Sequence, residues 1–259
     1  MNKIALSLFC LFVALVALAQ PEFEARVYKS DLGELNYRIL YPENFSTNQA
    51  YPVLLFLHGA GERGADNQKQ LVHGSKLFSD ASFRKDYPAI VVFPQCPRDD
   101  YWSNVSVDRS FYPLRLLFQE DGEATTPLQQ VMGLMDSLYA LPFTKNDQFY
   151  LGGLSMGGMG TFELAARKSD IFAAAFSICG GGHPAWAEQI AGNVPMWVFH
   201  GAKDDVVLPS HSTEMVIAIR EQGGVAKYTL YTDANHNSWD PTFAEPKLMS
   251  WLFSNVKGQ

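Results

Sequence analysis

The sequence has little positive charge. Its 259 residues include 20 Lys and Arg against 27 Asp and Glu, which gives a formal net charge of −7 at pH 7 and an isoelectric point near 5.3. It contains no run of Lys and Arg, no internal repeat and no low-complexity segment. Because binding to a phosphate backbone requires a basic face, this composition argues against nucleic acid as a partner.

Long apolar runs are also scarce, and the longest lies at the N-terminus, MNKIALSLFCLFVALVALAQ. The run spans about 16 residues, short of the roughly 20 that a transmembrane helix needs. It follows Lys3 and closes with Ala17-Leu18-Ala19, the small-x-small pattern that precedes signal-peptidase cleavage. We therefore predict a Sec-type signal peptide at residues 1–19, cleavage before Gln20, and a secreted or periplasmic protein without stable membrane insertion.

Cysteine is rare, with three in the chain. Cys10 lies in the predicted signal peptide, where the preceding Phe9 argues against lipidation, since a small residue is expected there. Cys96 and Cys179 stand at the ends of AIVVFPQC and AAAFSIC, the fourth and sixth predicted strands. Two other strands would separate them by about 14 Å, whereas a disulfide needs Cα atoms within about 7 Å. We expect both thiols to be reduced.

Beyond Gln20, short β-branched runs alternate with helical patterns. The predicted strands are PEFEARVYK, ELNYRILYP, VLLFLHG, AIVVFPQ, QFYLGG, AAAFSIC, MWVFHG and AKYTLYTD. Apolar residues at steps of three and four predict helices over Thr125–Tyr139, Met156–Arg167, Ser210–Glu221 and Phe243–Val256. The pattern predicts an α/β fold over residues 20–259, one domain with a mostly parallel eight-stranded sheet and helices on both faces.

The stretch GGLSMGGMG places Ser155 between a predicted buried strand and a predicted helix. Gly153 and Gly157 stand two residues on either side, where a larger side chain would collide across a sharp turn. The spacing predicts a strained strand-to-helix bend that holds the Ser155 hydroxyl at the C-terminal edge of the sheet and at a helix N-terminus. Such a position suits a nucleophile.

A serine hydroxyl needs a base, and the base needs a carboxylate that orients it. His236, in DANHNSWD after the last predicted strand, is favoured because its loop can hold the ring over the sheet edge. His183, in GGGHPAW, is the rival. The carboxylate is expected in HGAKDDVV, where spacing alone does not choose between Asp204 and Asp205.

Four motifs stand at predicted strand ends: LHGAGERG at 57–64, GLSMGG at 153–158, HGAKDDVV at 200–207 and NHNSW at 235–239. In this order they resemble the α/β-hydrolase superfamily. The nearest resemblance is to its lid-poor esterases, which include dienelactone hydrolases, carboxylesterases, and the feruloyl and acetyl esterases of carbohydrate esterase family 1. The resemblance implies a serine hydrolase with Ser155 as nucleophile, His236 as base and Asp204 as acid, which needs no metal or organic cofactor.

The same resemblance implies an oxyanion hole. Its two donors would be the backbone N–H groups of Met156 and Ala60, with Gly61 the substitute if the loop is shifted by one residue. Glu62 and Arg63 follow in the same loop. They either pair to hold the loop or remain two solvated charges.

The sequence also suggests the shape of the site. Only about sixteen residues separate the sixth and seventh predicted strands, too few for the helical lid of lipases with this fold, so we expect an open cleft. Trp102, Trp186 and Trp239 lie in loops that can reach it, although loop tryptophans often only pin a loop to the core. Aromatic walls suit sugar rings or an aromatic acyl group.

Taken with export, the predicted cleft favours a serine esterase that acts on small-molecule or oligosaccharide esters, such as feruloyl or acetyl groups on plant polysaccharide. The alternatives are a general carboxylesterase or phospholipase, or a serine peptidase of the same fold. A binding protein without activity is disfavoured because all three triad residues are present.

Overall fold

The computed structural model describes residues 22–258. The strands in this range are β1 (Glu24–Ser30), β2 (Gly33–Leu40), β3 (Tyr51–Leu57), β4 (Ile90–Pro94), β5 (Val105–Asp108), β6 (Arg115–Phe118), β7 (Thr144–Leu154), β8 (Phe172–Ile178), β9 (Met196–Gly201) and β10 (Ala226–Tyr231). The helices are α1 (Ser75–Ser79), α2 (Ala81–Asp86), α3 (Thr126–Tyr139), α4 (Met156–Arg167), α5 (Ala187–Ile190), α6 (Pro209–Glu221), α7 (Trp239–Phe243) and α8 (Leu248–Ser254). Short 3-10 helices span Ala60–Glu62, Lys69–Leu71 and Pro184–Trp186.

Eight of the strands form one sheet in the order β1-β2-β4-β3-β7-β8-β9-β10. The pairs β1–β2 and β2–β4 are antiparallel, and every other pair in the sheet is parallel. This arrangement confirms the predicted α/β fold with a mostly parallel eight-stranded sheet. The carboxyl ends of β3, β7, β9 and β10 therefore meet at one edge, where the four sequence motifs converge.

The two faces of the sheet carry two separate hydrophobic cores, and β3 contributes to both. Val53 and Leu55 pack with residues of α3 to α6, whereas Leu54 and Phe56 pack with residues of α1, α2 and α8. The alternation follows from the period of two residues in a strand. Because both faces are covered, the central strands are continuous apolar runs, as the sequence predicted.

The two cysteines of the described residues are free and buried, in agreement with the sequence prediction. Cys96 follows β4 and Cys179 follows β8. Strands β3 and β7 lie between β4 and β8 in the sheet, so the two thiols are kept apart by the strand order.

Several elements differ from the sequence prediction, which did not include helices α1, α2 and α5. The helix predicted over Phe243–Val256 is shorter: only α8, Leu248–Ser254, lies within that range, and Phe243 is the last residue of the separate helix α7. Pro246 lies in the break between α7 and α8, and a proline inside a helix removes one backbone donor and clashes with the preceding turn. The segment after Trp102, expected to be a loop, forms the separate β5–β6 hairpin.

None of the helices described between residues 22 and 258 is long and apolar enough to cross a membrane. The predicted signal peptide at residues 1–19 and its cleavage before Gln20 lie outside the described residues. Both stay predictions.

Candidate active site

Ser155 lies in the turn between β7, which ends at Leu154, and α4, which begins at Met156. Its φ of 53° and ψ of −117° are strained for a residue with a side chain. A Cβ on Gly157 would lie 2.0 Å from the carbonyl oxygen of Leu57. A Cβ on Gly153 would lie 2.3 Å from the carbonyl oxygen of Gly157. The tight bend predicted from the sequence is present, and it leaves no room for a side chain at either glycine.

The structure brings the three predicted catalytic residues together. Ser155 Oγ lies 3.0 Å from His236 Nε2, and His236 Nδ1 lies 2.8 Å from Asp204 Oδ2. His236 stands in the loop between β10 and α7, and Asp204 in the loop after β9. Asp204 is buried and Asp205 is exposed, so tertiary packing distinguishes two carboxylates that sequence spacing could not. His183, the rival base, accepts a hydrogen bond from the backbone N–H of Ala185 and caps a 3-10 helix.

The Asp204 carboxylate is fully hydrogen-bonded. Oδ1 accepts the backbone N–H groups of Val206 and Val207 at 2.9 and 3.0 Å, while Oδ2 lies 2.8 Å from His236 Nδ1 and 3.1 Å from His200 Nε2. Burial alone would raise the pKa of this carboxyl, but the hydrogen bonds from the two histidines outweigh burial and hold its pKa well below the usual range. Asp204 is therefore ionised at neutral pH.

His200 is a site residue that the sequence analysis missed. Its ring is fully buried, with Nδ1 2.7 Å from Ser212 Oγ and Nε2 directed to both Asp204 Oδ2 and the carbonyl of Val207. It thus supplies Asp204 with a second imidazole contact. The signal in the sequence was its spacing of four residues from Asp204.

The proposed oxyanion donors occupy equivalent positions in two adjacent turns. Ala60 is the first residue of a 3-10 helix after β3, and Met156 is the first residue of α4. The first N–H groups of a helix have no partner within that helix, so both are available to a ligand. The two turns are close, because a Cβ on Gly59 would lie 3.7 Å from Ser155 Cβ.

Two of the three tryptophans predicted to contact substrate lie in the core instead. Trp102 has no exposed surface and donates its indole N–H to the carbonyl of His58, at 3.1 Å. Trp186 is 5% exposed and donates to the carbonyl of Glu120. These positions correct the sequence prediction for Trp102 and Trp186, because each indole satisfies its N–H inside the protein and pins a loop. Trp239 is partly exposed and lines the cleft.

The cleft above Ser155 has a volume of about 240 Å³. Ser155 and His236 lie at its floor. The other lining residues are Gly59, Ala60, Gly61, Glu62, His73, Tyr101, Arg109, Leu114, Leu154, Met159, Val206, Val207 and Trp239. Leu114 belongs to the connection of the unpredicted β5–β6 hairpin, which therefore forms part of the wall. The segment between β8 and β9 holds only a 3-10 helix and the four-residue α5, so no helical lid covers the cleft in the described residues.

Neither sequence expectation for Glu62 and Arg63 holds. Arg63 donates Nε to the carbonyl of Ala60 and one terminal nitrogen to that of Asp100, at 3.0 and 3.1 Å, so it holds the loop through backbone acceptors. The Glu62 side chain is 13% exposed and lies against the cleft. It is therefore neither paired with Arg63 nor a solvated surface charge.

One group in the described residues could offer atoms to a metal ion: a thiol, a carboxylate and an imidazole from Cys179, Asp204 and His236, all within 4.8 Å of one another. Burial raises the pKa of the Cys179 thiol well above its ordinary value, which disfavours the thiolate that a metal needs. Asp204 and His236 are already hydrogen-bonded to each other. These donors suit proton transfer better than metal binding.

Residues 32–225 match the Esterase family model, whose description is "Putative esterase". Among curated proteins, lysophospholipase-like protein 1 of Mus musculus is 28% identical over 216 residues, which are 80% of this chain and 87% of that protein. A bifunctional acetylxylan esterase/xylanase of Neocallimastix patriciarum is 26% identical over 182 residues, 70% of this chain but 23% of that protein.

Solved structures agree with this match. A thermostable esterase is 32% identical with a TM-score of 0.79, and the match covers 91% of this chain and 63% of that one, so this chain spans less than two thirds of its length. A CE1 ferulic acid esterase of Anaeromyces mucronatus, solved in complex with ferulic acid, has a TM-score of 0.60 at 15% identity over 88% of this chain and 89% of its own. The latter likeness shows the fold alone. The chain belongs to the Esterase family and has the α/β-hydrolase fold.

Proposed function

We propose that this protein is a serine esterase that hydrolyses carboxylic esters through an acyl-enzyme on Ser155. The observation that carries the proposal is the continuous chain of contacts from Ser155 Oγ to His236 Nε2, at 3.0 Å, and from His236 Nδ1 to Asp204 Oδ2, at 2.8 Å. It lies at the floor of an open cleft, at the carboxyl edge of a parallel sheet, where ligands bind in such folds.

In the first half of the reaction, Ser155 Oγ attacks the ester carbonyl while His236 Nε2 takes the hydroxyl proton. Ionised Asp204 holds the Nδ1–H tautomer and stabilises the imidazolium. The N–H groups of Ala60 and Met156 donate to the oxyanion, and each such donor contributes about 3 to 4 kcal/mol to the transition state. The tetrahedral intermediate then collapses, His236 returns the proton to the leaving oxygen, and the alcohol departs.

In the second half, water attacks the acyl carbonyl and His236 Nε2 takes a proton from it. Collapse of the second tetrahedral intermediate breaks the bond to Ser155 Oγ, which recovers its proton from His236. The carboxylic acid leaves and the resting contacts are restored.

For the substrate, we propose acetyl or feruloyl esters of plant polysaccharide or its fragments. Three observations support this choice: the aromatic ring of Trp239 beside the base, the absence of a helical lid in the described residues, and the acetylxylan esterase among the relatives. An extended sugar chain requires an open cleft. The predicted signal peptide would place the enzyme outside the cytoplasm, where such polymers occur.

A second candidate is an esterase of simple aliphatic esters or lysophospholipids. It is favoured by the similarity to lysophospholipase-like protein 1, which extends over 80% of this chain. Apolar side chains of Leu114, Leu154, Met159 and Val207 line the cleft and suit an aliphatic acyl group.

The test compares kcat/KM of the purified protein on methyl ferulate, 4-nitrophenyl acetate and 4-nitrophenyl butyrate, with Ser155→Ala as control. We expect hydrolysis that the substitution reduces by at least about 10⁴-fold. Preference for ferulate or acetate supports the polysaccharide esterase, and preference for butyrate supports the second candidate. Equal rates for Ser155→Ala and the parent protein would exclude the mechanism.

A further inference from the structure

The carboxylate of Glu62 lies in the same cleft as Ser155. Glu62 is the last residue of the 3-10 helix that follows β3, and it lines the cleft together with Ser155 and His236. A Cβ on Gly59 would lie 3.0 Å from Glu62 Oε2 and 3.7 Å from Ser155 Cβ, so both atoms lie close to this one position. A group bound at this carboxylate would therefore be close to the reacting ester.

The carboxylate is largely enclosed, and among the described residues it accepts no hydrogen bond. Its side chain is 13% exposed, and among residues 22–258 the basic side chain beside it is that of His73, whose Nε2 lies 3.8 Å from Oε1, beyond hydrogen-bonding distance. The fully buried carboxylate of Glu163 on α4, by contrast, accepts from three donors. Because the Glu62 carboxylate lines the cleft and accepts from no described residue, it can accept a hydrogen bond from a donor that arrives with a ligand.

The side chain is not needed to hold its loop. The backbone carbonyl of Glu62 accepts from Gln95 Nε2 at 3.2 Å, and Arg63 Nε donates to the backbone carbonyl of Ala60. The N–H of Gly64 donates to the carbonyl of Cys96 at 3.0 Å. Because these contacts anchor the loop through its backbone and neighbours, the Glu62 carboxylate remains free for a ligand.

The neighbours of the carboxylate indicate which part of a substrate it meets. The Trp239 ring lies 5.6 Å from the His236 ring and 5.0 Å from the His73 ring, so base, aromatic ring and carboxylate form one wall. His236 Nε2 must deliver its proton to the leaving oxygen, which places the alcohol component on this side of the cleft. The carboxylate thus faces the alcohol component.

The charge of the cleft favours a neutral ligand. Arg109 lines the same cleft, and its guanidinium donates to the Tyr101 hydroxyl at 3.1 Å. A cationic ligand attracted by Glu62 would be repelled by Arg109, whereas a neutral hydroxyl group would not. A hydroxyl donates well to a carboxylate, and a sugar ring can pack its apolar face on an indole.

We propose that Glu62 determines specificity for esters whose alcohol component carries a free hydroxyl close to the ester bond, as in a sugar or another polyol. The hydroxyl donates to the Glu62 carboxylate while Trp239 packs against the carbon skeleton. This inference rests on the proposed esterase function and names the class of alcohol for that site.

The test compares kcat/KM for 2-hydroxyethyl acetate with that for 2-methoxyethyl acetate, which differs by a methyl cap on the hydroxyl. The parent protein is expected to prefer the free hydroxyl, and Glu62→Gln to reduce this preference about tenfold, mainly through KM, because a charge-assisted hydrogen bond is lost. Glu188→Gln is the matched control, since Glu188 is an exposed glutamate away from the cleft, and its preference should equal that of the parent.

Any of four outcomes overturns the inference. An equal loss on both esters in Glu62→Gln would mean that the residue only supports the loop. A larger loss on the choline ester of acetic acid than on the hydroxyethyl ester would assign the carboxylate to a cation. A parent protein that is inactive on all these esters and on 4-nitrophenyl acetate would overturn the proposed function as well, whereas an active parent with an unchanged ratio in the variant refutes the Glu62 inference alone.

Discussion

Replacement of Gly157 by alanine should disturb the fold and the site together. The added Cβ would lie 2.0 Å from the carbonyl oxygen of Leu57, 2.5 Å from its carbonyl carbon and 2.7 Å from the carbonyl oxygen of His58, whereas ordinary contacts begin at 3.4 Å. All three are backbone atoms at the end of β3, so no side-chain rotation can relieve the clash. Either α4 or the end of β3 must move by more than about 1 Å.

The cost follows from this displacement. Overpacking a well-packed core costs about 1 to 3 kcal/mol, and a clash between two backbone elements belongs at the upper end, about 3 kcal/mol. For a protein of this size, 1 kcal/mol corresponds to about 2 to 4 °C, so the Tm should fall by about 6 to 12 °C. Moving Ser155 by about 1 Å relative to the oxyanion donors should also reduce kcat/KM about 100-fold.

Thermal unfolding followed by circular dichroism measures the first effect, and hydrolysis of 4-nitrophenyl acetate measures the second. Gly61→Ala is the matched stability control, because a Cβ on Gly61 would meet no heavy atom within 4 Å and its Tm should stay within about 2 °C of the parent. A Gly157→Ala protein with the parent Tm and the parent kcat/KM would refute this account of the bend.

Three further predictions concern buried carboxylates. Asp204→Asn should lower kcat by about 10⁴-fold with little change in fold, because an amide stabilises neither the imidazolium of His236 nor the required tautomer; a loss below tenfold would contradict this. The pKa of Asp204 is lower in the folded than in the unfolded protein, so the ionised carboxylate stabilises the fold fully above about pH 4 and loses this effect as the pH falls further. Urea unfolding of the parent protein and of Asp204→Asn should therefore give a smaller difference in unfolding free energy at pH 3 than at pH 7. Glu163→Gln breaks the pair with Arg167 and weakens the hydrogen bond from Ser103, and should cost about 2 to 3 kcal/mol of unfolding free energy in urea, whereas an unchanged midpoint would contradict that role.

The sheet was predictable because its strands differ from the rest of the chain in composition. The five strands buried on both faces are continuous apolar runs, and the two antiparallel strands alternate, so seven of the eight strands could be read from these two patterns. The β5–β6 hairpin could not, since each strand has four residues and only one face meets the core. The break at Pro246 was signalled by the proline itself, but the apolar period on both sides concealed it.

The sequence predicted the site residues whose place follows from their position after a strand. It failed for residues whose role depends on the direction in which the side chain points. Ser155, Asp204 and His236 follow strands whose carboxyl ends meet at one edge, so topology alone brings them close. Whether Trp102 faces the cleft or the core depends on its indole N–H reaching the carbonyl of His58, a contact between residues 44 apart that no local pattern reveals. The isolation of the Glu62 carboxylate likewise arises only from tertiary packing.

The proposed mechanism requires Ser155 to be a nucleophile activated by His236 and Asp204. Incubation of the purified protein with a fluorophosphonate, followed by mass spectrometry of its peptides, tests it directly, because such reagents phosphonylate an activated serine. We expect one stoichiometric adduct on Ser155, with concurrent loss of esterase activity, and no adduct in Ser155→Ala. An unmodified Ser155 in folded protein, or labelling and activity that persist in Ser155→Ala, would contradict it.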